Sequence, residues 1–182
     1  VVESLKHGGI ANGVSVNIKW VDSEKVTAEN VEEFLGDVSG IIVPGGFGDR
    51  GIEGMIQSIR YAREKKVPFL GLCLGMQLTI VEFTRDVVGY NDAHSVEFLP
   101  GTTHPVIHLM PDQEGIDDIG GTLRLGSYPC ILDESSKAYA LYGSKEIHER
   151  HRHRYEVNND FRNVLTENGM LLSGISPDGR IV

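Results

Sequence analysis

Hydrophobic and polar positions along this chain change period in a regular order. Val14, Val16, Ile18 and Trp20 alternate with polar residues, which predicts a half-buried strand. Thr27 is a candidate N-cap for a short helix that places Val31, Phe34 and Leu35 on one face and stops at Gly36-Asp37. Gly40-Ile41-Ile42-Val43 predicts a second, buried strand, which runs into the glycine-rich Pro44-Gly45-Gly46-Phe47-Gly48-Asp49-Arg50-Gly51. A helix is expected from about Ile52 to Lys66, with Met55, Ile56, Ile59 and Ala62 inward and Arg60, Arg63 and Glu64 in water. Val67 to Leu72 is a short, nearly all-apolar run, as in a strand covered on both faces, and a helix follows from Leu74 to about Val88. This alternation predicts an α/β fold with a doubly wound, mostly parallel sheet, whose sites lie at the carboxyl ends of the strands.

After Gly89 the pattern changes. Val106-Ile107-His108-Leu109 predicts a short strand, and the polar, acidic stretch from Met110 to Gly121 predicts a loop. Thr122-Leu123-Arg124-Leu125-Gly126 and Cys130-Ile131-Leu132 read as two antiparallel strands. A helix near Ser135 to Tyr142, a His- and Arg-rich run from His148 to Asn158, a short helix from Asp160 to Asn168 and a strand from Met170 to Ile175 complete the chain. The opening residues read as a helix (Val2, Leu5 and Lys6 before Gly8-Gly9) and Arg180-Ile181-Val182 as the start of a strand. The expectation is one domain over residues 1–182, truncated at both ends.

Composition narrows the function classes. With 40% hydrophobic and 24% charged residues, the 182-residue chain matches an ordinary globular domain. A net charge of -9 argues against nucleic acid as a main partner. The apolar runs are too short to cross a bilayer, and no signal-peptide pattern is visible, so no membrane partner is expected. Two cysteines, Cys73 and Cys130, make no disulfide framework, and a reducing cytoplasm is the expected compartment.

The chemistry concentrates on Gly71-Leu72-Cys73-Leu74-Gly75-Met76-Gln77. A cysteine in an apolar run is ordinarily a small core residue. Here glycines stand two before and two after it, between a predicted strand and a predicted helix, which is the setting of a nucleophile elbow. At the apex the backbone is strained and side chains two residues away would collide, so glycine is favoured at both places. The helix N-terminus favours a thiolate and can bind a developing oxyanion. The Gly45-Gly46 loop follows a strand of the same parallel sheet, so it is expected on the rim that carries Cys73, where its bare backbone can donate an N–H. The glycine spacing fits neither a P-loop nor a dinucleotide fingerprint.

These segments, with Gly120-Gly121-Thr122-Leu123-Arg124-Leu125-Gly126 and Glu149-Arg150-His151-Arg152-His153-Arg154-Tyr155-Glu156-Val157-Asn158, resemble the class I glutamine amidotransferases. Within them the Arg/His run is similar to the glutaminase domains of the CTP synthase family, and the resemblance covers essentially the whole chain. It implies a flavodoxin-like fold of the class I glutamine amidotransferase type. Cys73 would be the nucleophile toward L-glutamine, and the N–H groups of Gly46 and Leu74 would form the oxyanion hole. Gln77, Glu97 and Arg154 would hold the substrate, with Arg154 on its α-carboxylate and Glu97 on its α-ammonium. Phe47 and Arg50 are candidates for contact with a GTP activator. The resemblance implies no cofactor or metal in this domain. It implies ATP and magnesium in a synthase domain of the same polypeptide, which would aminate UTP to CTP and assemble as a homotetramer.

One part of the family pattern is missing. The general base of such sites is a histidine in a His-Pro-Glu motif, and here His104-Pro105 is followed by Val106. The chain as printed is therefore expected to be a weak glutaminase, its base lying in residues outside it. His151 and His153 would share a face if their run is a strand, but two histidines without a third donor make a poor zinc set. Two other functions stay open at this point: a hydrolase of γ-glutamyl compounds that delivers no ammonia, and a non-catalytic binding module of the same fold.

Overall fold

The computed structural model describes residues 1–109 and 124–182, so the loop expected at Met110 to Gly121, and Thr122-Leu123, lie outside the described residues. The chain divides into two compact units, Val1–Leu78 and Thr79–Val182.

In the first unit, helix α1 (Val2–Ala11) runs on through Gly8 and Gly9. The alternating segment at Val14 to Trp20 forms no strand, and Val14, Val16 and Trp20 are exposed, Trp20 by 81%. Alternation decides where side chains would point in an extended chain, but the ladder hydrogen bonds come from a neighbour, and no described strand pairs with this segment. Thr27 is not the cap of α2 (Val31–Leu35). Asn30 holds that position, and its Oδ1 accepts the Thr27 N–H at 2.8 Å.

Strands β1 (Ile41–Val43) and β2 (Phe69–Gly71) pair in parallel, with Val43 opposite Gly71, and α3 (Ile52–Lys65) is the crossover between them. Leu35, Ile41, Tyr61 and Ala62 form a buried cluster with Val31, Phe34, Val67 and Phe69 packed on it. Each such large apolar side chain contributes roughly 1.5–3 kcal/mol on burial. The start of α3 lies so close to Ser23 that a Cβ on Gly54 would stand 1.8 Å from the Ser23 carbonyl oxygen. The strand β2 is not covered on both faces as expected: Leu70 is 52% exposed. A run of apolar residues therefore marks this strand correctly but not the covering of its second face.

Helix α4 (Leu74–Phe83) ends in a π-helical turn, Thr84–Val88, which Gly89 closes at φ 93°. In the second unit, β4 (Pro105–Leu109) pairs in parallel with β3 (His94–Ser95) and antiparallel with β7 (Tyr155–Val157). A second sheet orders β6-β5-β8, with β5 (Arg124–Leu132) antiparallel to both β6 (Glu146–His153) and β8 (Gly174–Ile175). The two strands expected around Gly126 and Cys130 are thus one. Pro129 fits because β8 pairs only with Ile131 and Leu132, so on that side Pro129 needs no ladder donor. Helix α5 (Lys137–Tyr142) starts on Ser136, whose side chain accepts the Tyr139 N–H, and α6 (Arg162–Glu167) follows β7.

One buried ion pair joins the two sheets of this unit. Arg124, at the start of β5, meets Glu156 of β7 through two bonds, Nε–Oε1 at 2.8 Å and Nη2–Oε2 at 3.3 Å. Their side chains are 11% and 3% exposed. Removing one partner of such a pair costs on the order of 3–5 kcal/mol, because the other charge stays buried. Arg124 also donates to His153 Nδ1 at 3.2 Å, which fixes that nitrogen as an acceptor and the ring as neutral. His151 Nδ1 lies 3.3 Å from the same nitrogen. Burial first, and the Arg124 charge second, push His153 down to about 4.

The unfolded chain takes up this proton near pH 6.5, and the folded chain refuses it until about 4. The unfolded state thus binds more protons in that window, and stability falls as the pH drops through it. His151, lowered by burial and facing Arg124, His153, Glu156 and Glu149, adds in the same sense. We expect His153→Gln, which keeps an acceptor but cannot titrate, to flatten the decline of the urea midpoint between pH 6.5 and 4. Equal slopes for the two proteins would contradict the assignment.

Candidate active site

The parallel pairing of Val43 with Gly71 brings two chain reversals to one rim. The Leu72 N–H donates to the Val43 carbonyl at 2.9 Å, and the next residue, Cys73, has φ +55°. A non-glycine residue in the left-handed region costs roughly 1–2 kcal/mol and persists only where packing dictates it. Here both flanking glycines are required. A Cβ on Gly71 would lie 2.6 Å from the Gly75 carbonyl carbon, and one on Gly75 would lie 2.1 Å from the Val43 oxygen. Neither clash is with a flexible side chain, so the close approach of α4 to β1 and β2 depends on both.

Cys73 is half-buried, not sealed in the interior. It immediately precedes α4, whose first-turn N–H groups, that of Leu74 among them, have no acceptor within the helix. Leu74 and Gln77 are buried, and the Gln77 N–H donates to the Cys73 carbonyl at 3.1 Å. The glycine loop after β1 approaches the thiol as expected. A Cβ on Gly45 would be 3.1 Å from Cys73 Cβ and 3.6 Å from Sγ, and one on Gly46 would be 3.5 Å from Leu74 Cδ2. Thus Cys73, Gly46, Leu74 and Gln77 come together in the first unit. Of the two glycines expected on this rim, Gly45 makes the closer approach to the sulfur. Phe47 lies further along the loop and is 67% exposed. Arg50 pairs with Glu24 at 2.7 Å, and that contact holds Glu24 below the usual carboxylate range.

Glu97 and Arg154 belong to the second unit. Glu97 is half-buried on the loop after β3, and its N–H donates to Ser95 Oγ at 3.2 Å. Arg154 occupies the single residue between β6 and β7, where the chain passes from one sheet to the other. Its guanidinium lies 5.8 Å from the Tyr155 ring centre, and its Nε is buried with no hydrogen-bond partner among the described residues. A buried cationic donor left unsatisfied is costly, and a carboxylate is the acceptor that fits it best. The other cysteine, Cys130, is packed so that a Cβ on Gly174 would stand 2.6 Å from its sulfur, and burial pushes its thiol up. Among the described residues no group of three or more His, Cys, Asp or Glu side chains is placed to hold a metal ion.

Two contacts escaped the sequence reading. Arg124 was part of a motif, but its pairing with Glu156, 32 residues on, carries no local signal. Asp92 binds Thr102, Thr103 and His104, and there the polar run before Pro105 was the available hint.

Comparison with known proteins agrees with this geometry. Residues 1–182 match the family described as glutamine amidotransferase class-I. A CTP synthase of Clostridium acetobutylicum is 61% identical over 182 residues, and one of Geobacillus kaustophilus is 58% identical. Each match takes in 100% of this chain and 34% of the relative, so the chain spans about a third of their length. Among solved structures, the glutaminase domain of a Trypanosoma brucei CTPS with bound acivicin superposes with a TM-score of 0.90 at 36% identity. That match covers 96% of this chain and 67% of the other. The chain therefore belongs to the class-I glutamine amidotransferase family.

Proposed function

We propose that Cys73 is the nucleophile with which the intact polypeptide hydrolyses the side-chain amide of L-glutamine, and that the ammonia serves a synthase part of the same polypeptide, which converts UTP to CTP with ATP. The observation that carries the reading is Cys73 itself, a half-exposed thiol at φ +55° between a strand end and a helix start, with Gly45 against it. The whole-length likeness to CTP synthases supports the link to CTP formation.

In this reading the Cys73 thiolate adds to the amide carbon, forming a C–S bond and moving the π electrons onto oxygen. The N–H groups of Gly46 and Leu74 stabilise that oxyanion. The intermediate collapses with cleavage of the C–N bond, and nitrogen leaves as ammonia, taking the proton that the Cys73 thiol gave up on becoming the thiolate. Water then adds to the thioester, and glutamate departs as the thiol is restored. Arg154 binds the α-carboxylate, an assignment its buried, unpartnered Nε supports. Glu97 binds the α-ammonium, and Gln77 lies one helical turn beyond the nucleophile.

ATP, magnesium and homotetramer contacts belong, in this reading, to the synthase part, and no step in this chain is assigned to them. A GTP activator would meet Phe47 and Arg50 on the exposed loop. An exposed aromatic ring suits a purine, and a guanidinium suits phosphate.

Two measurements on the intact polypeptide test this function. Cys73→Ala is expected to lower glutamine hydrolysis by roughly 10³-fold or more, read as glutamate release, and unchanged turnover would refute the nucleophile assignment. Arg154→Lys keeps the charge but loses the planar fork. It should raise KM for glutamine about 10-fold or more with a smaller effect on kcat, whereas an unchanged KM removes Arg154 from the substrate site.

A further inference from the structure

We propose that Asp92 is a positioning residue that clasps the 92–104 loop and so holds Glu97 for the substrate ammonium group. This rests on the assignment of Glu97 given above.

The loop leaves the π-helical turn after Gly89 and returns into β4 at Pro105. Its outgoing limb is short: His94 pairs with Pro105 and Ser95 with Ile107, with a register irregularity between them. Beyond Ser95 the chain turns, and the Phe98 and Leu99 N–H groups both donate to the Ser95 carbonyl, at 3.2 and 3.0 Å. The tip, Val96-Glu97-Phe98-Leu99-Pro100-Gly101, has one ionisable side chain, Glu97.

Asp92 ties the base of this loop together. Its Oδ2 accepts the Thr103 N–H at 2.8 Å and the Thr103 hydroxyl at 2.6 Å. Its Oδ1 meets His104 Nδ1 at 2.5 Å, and its main-chain carbonyl accepts the Thr102 hydroxyl at 2.6 Å. One residue thus holds three consecutive residues of the return limb. His104 is itself fixed, stacked on Tyr90 with ring centres 4.2 Å apart and edge-on to Phe161 at 6.3 Å. These bonds to Thr103 and His104 hold the Asp92 carboxyl far below the usual range, so it stays charged across the working pH range. The same contacts account for His104-Pro105 without any catalytic role: the ring is occupied in closing the loop. A side chain whose carboxylate must meet an ammonium group needs a fixed backbone beneath it, and misplacement by about 1 Å can cost on the order of 100-fold. The Glu97 N–H donates to Ser95 Oγ, on a residue that is 1% exposed, and the clasp fixes the other limb.

The test is steady-state glutamine hydrolysis by the intact polypeptide carrying Asp92→Ala, Glu97→Gln or both. Asp92→Ala should raise KM for glutamine about 10-fold and leave kcat within about 2-fold, and it should add less than about 2-fold to KM when Glu97→Gln is present. Asp92→Asn keeps one acceptor for Thr103 and should fall between wild type and Asp92→Ala. If Asp92→Ala does not fold, Thr103→Ala removes a single bond to the same carboxylate and should move KM in the same direction. An unchanged KM, a loss confined to kcat, or the same factor with and without Glu97 overturns the proposal. If Glu97→Gln alone leaves KM unchanged, the Glu97 assignment falls and the proposal with it. If Glu97→Gln raises KM and Asp92→Ala does not, only the proposal falls.

Discussion

The left-handed backbone at Cys73 is the constraint on which the site depends. It is unfavourable for a residue with a Cβ, and three close approaches keep it in place: Leu72 bonded to Val43, Gly71 against Gly75, and Gly75 against the Val43 carbonyl. Each approach uses backbone alone. The same geometry that stores the strain presents the thiol at the start of α4 and brings the loop after β1 alongside it. Local strain at a chemical group, supported by surrounding packing, is the usual sign of a functional turn.

The second unit solves a different problem, which is how to hold polar groups in a buried setting. Arg124 and Glu156 pair in the interior, and His153 accepts from Arg124 and stays neutral there. Arg154 follows directly and lacks such a partner at Nε. Two neighbouring arginine-bearing segments thus differ in kind. One charge is neutralised within the fold, and the other is left with a donor that a carboxylate can satisfy. The contrast gives Arg124 and Glu156 a structural role and is compatible with the carboxylate-binding role proposed for Arg154.

The sequence showed most where structure is local. The stripe of α3, the short helix at α5, the strand at β4 and the Gly-x-Cys-x-Gly turn all came from short-range patterns, and the structure bears them out. It showed least where a partner lies far along the chain. Val14 to Trp20 has a strand's alternation without a pairing neighbour among the described residues, and Leu70 sits in a strand with one face uncovered. Gly126 and Pro129 looked like breaks but lie within one strand. The Arg124–Glu156 pair and the Asp92 clasp join residues whose types alone say nothing of each other. Glu97 and Arg154 became candidates only through family resemblance, since a lone Glu or Arg ordinarily marks a wet surface.

The most direct test of the account is to look for its covalent intermediate. The intact polypeptide, quenched in acid during glutamine turnover and digested, would be analysed by mass spectrometry for a γ-glutamyl thioester. The account predicts the adduct on the peptide that contains Cys73 and none on the peptide that contains Cys130. An adduct on Cys130, or steady glutamate release with no adduct at Cys73 under conditions that preserve thioesters, would contradict it.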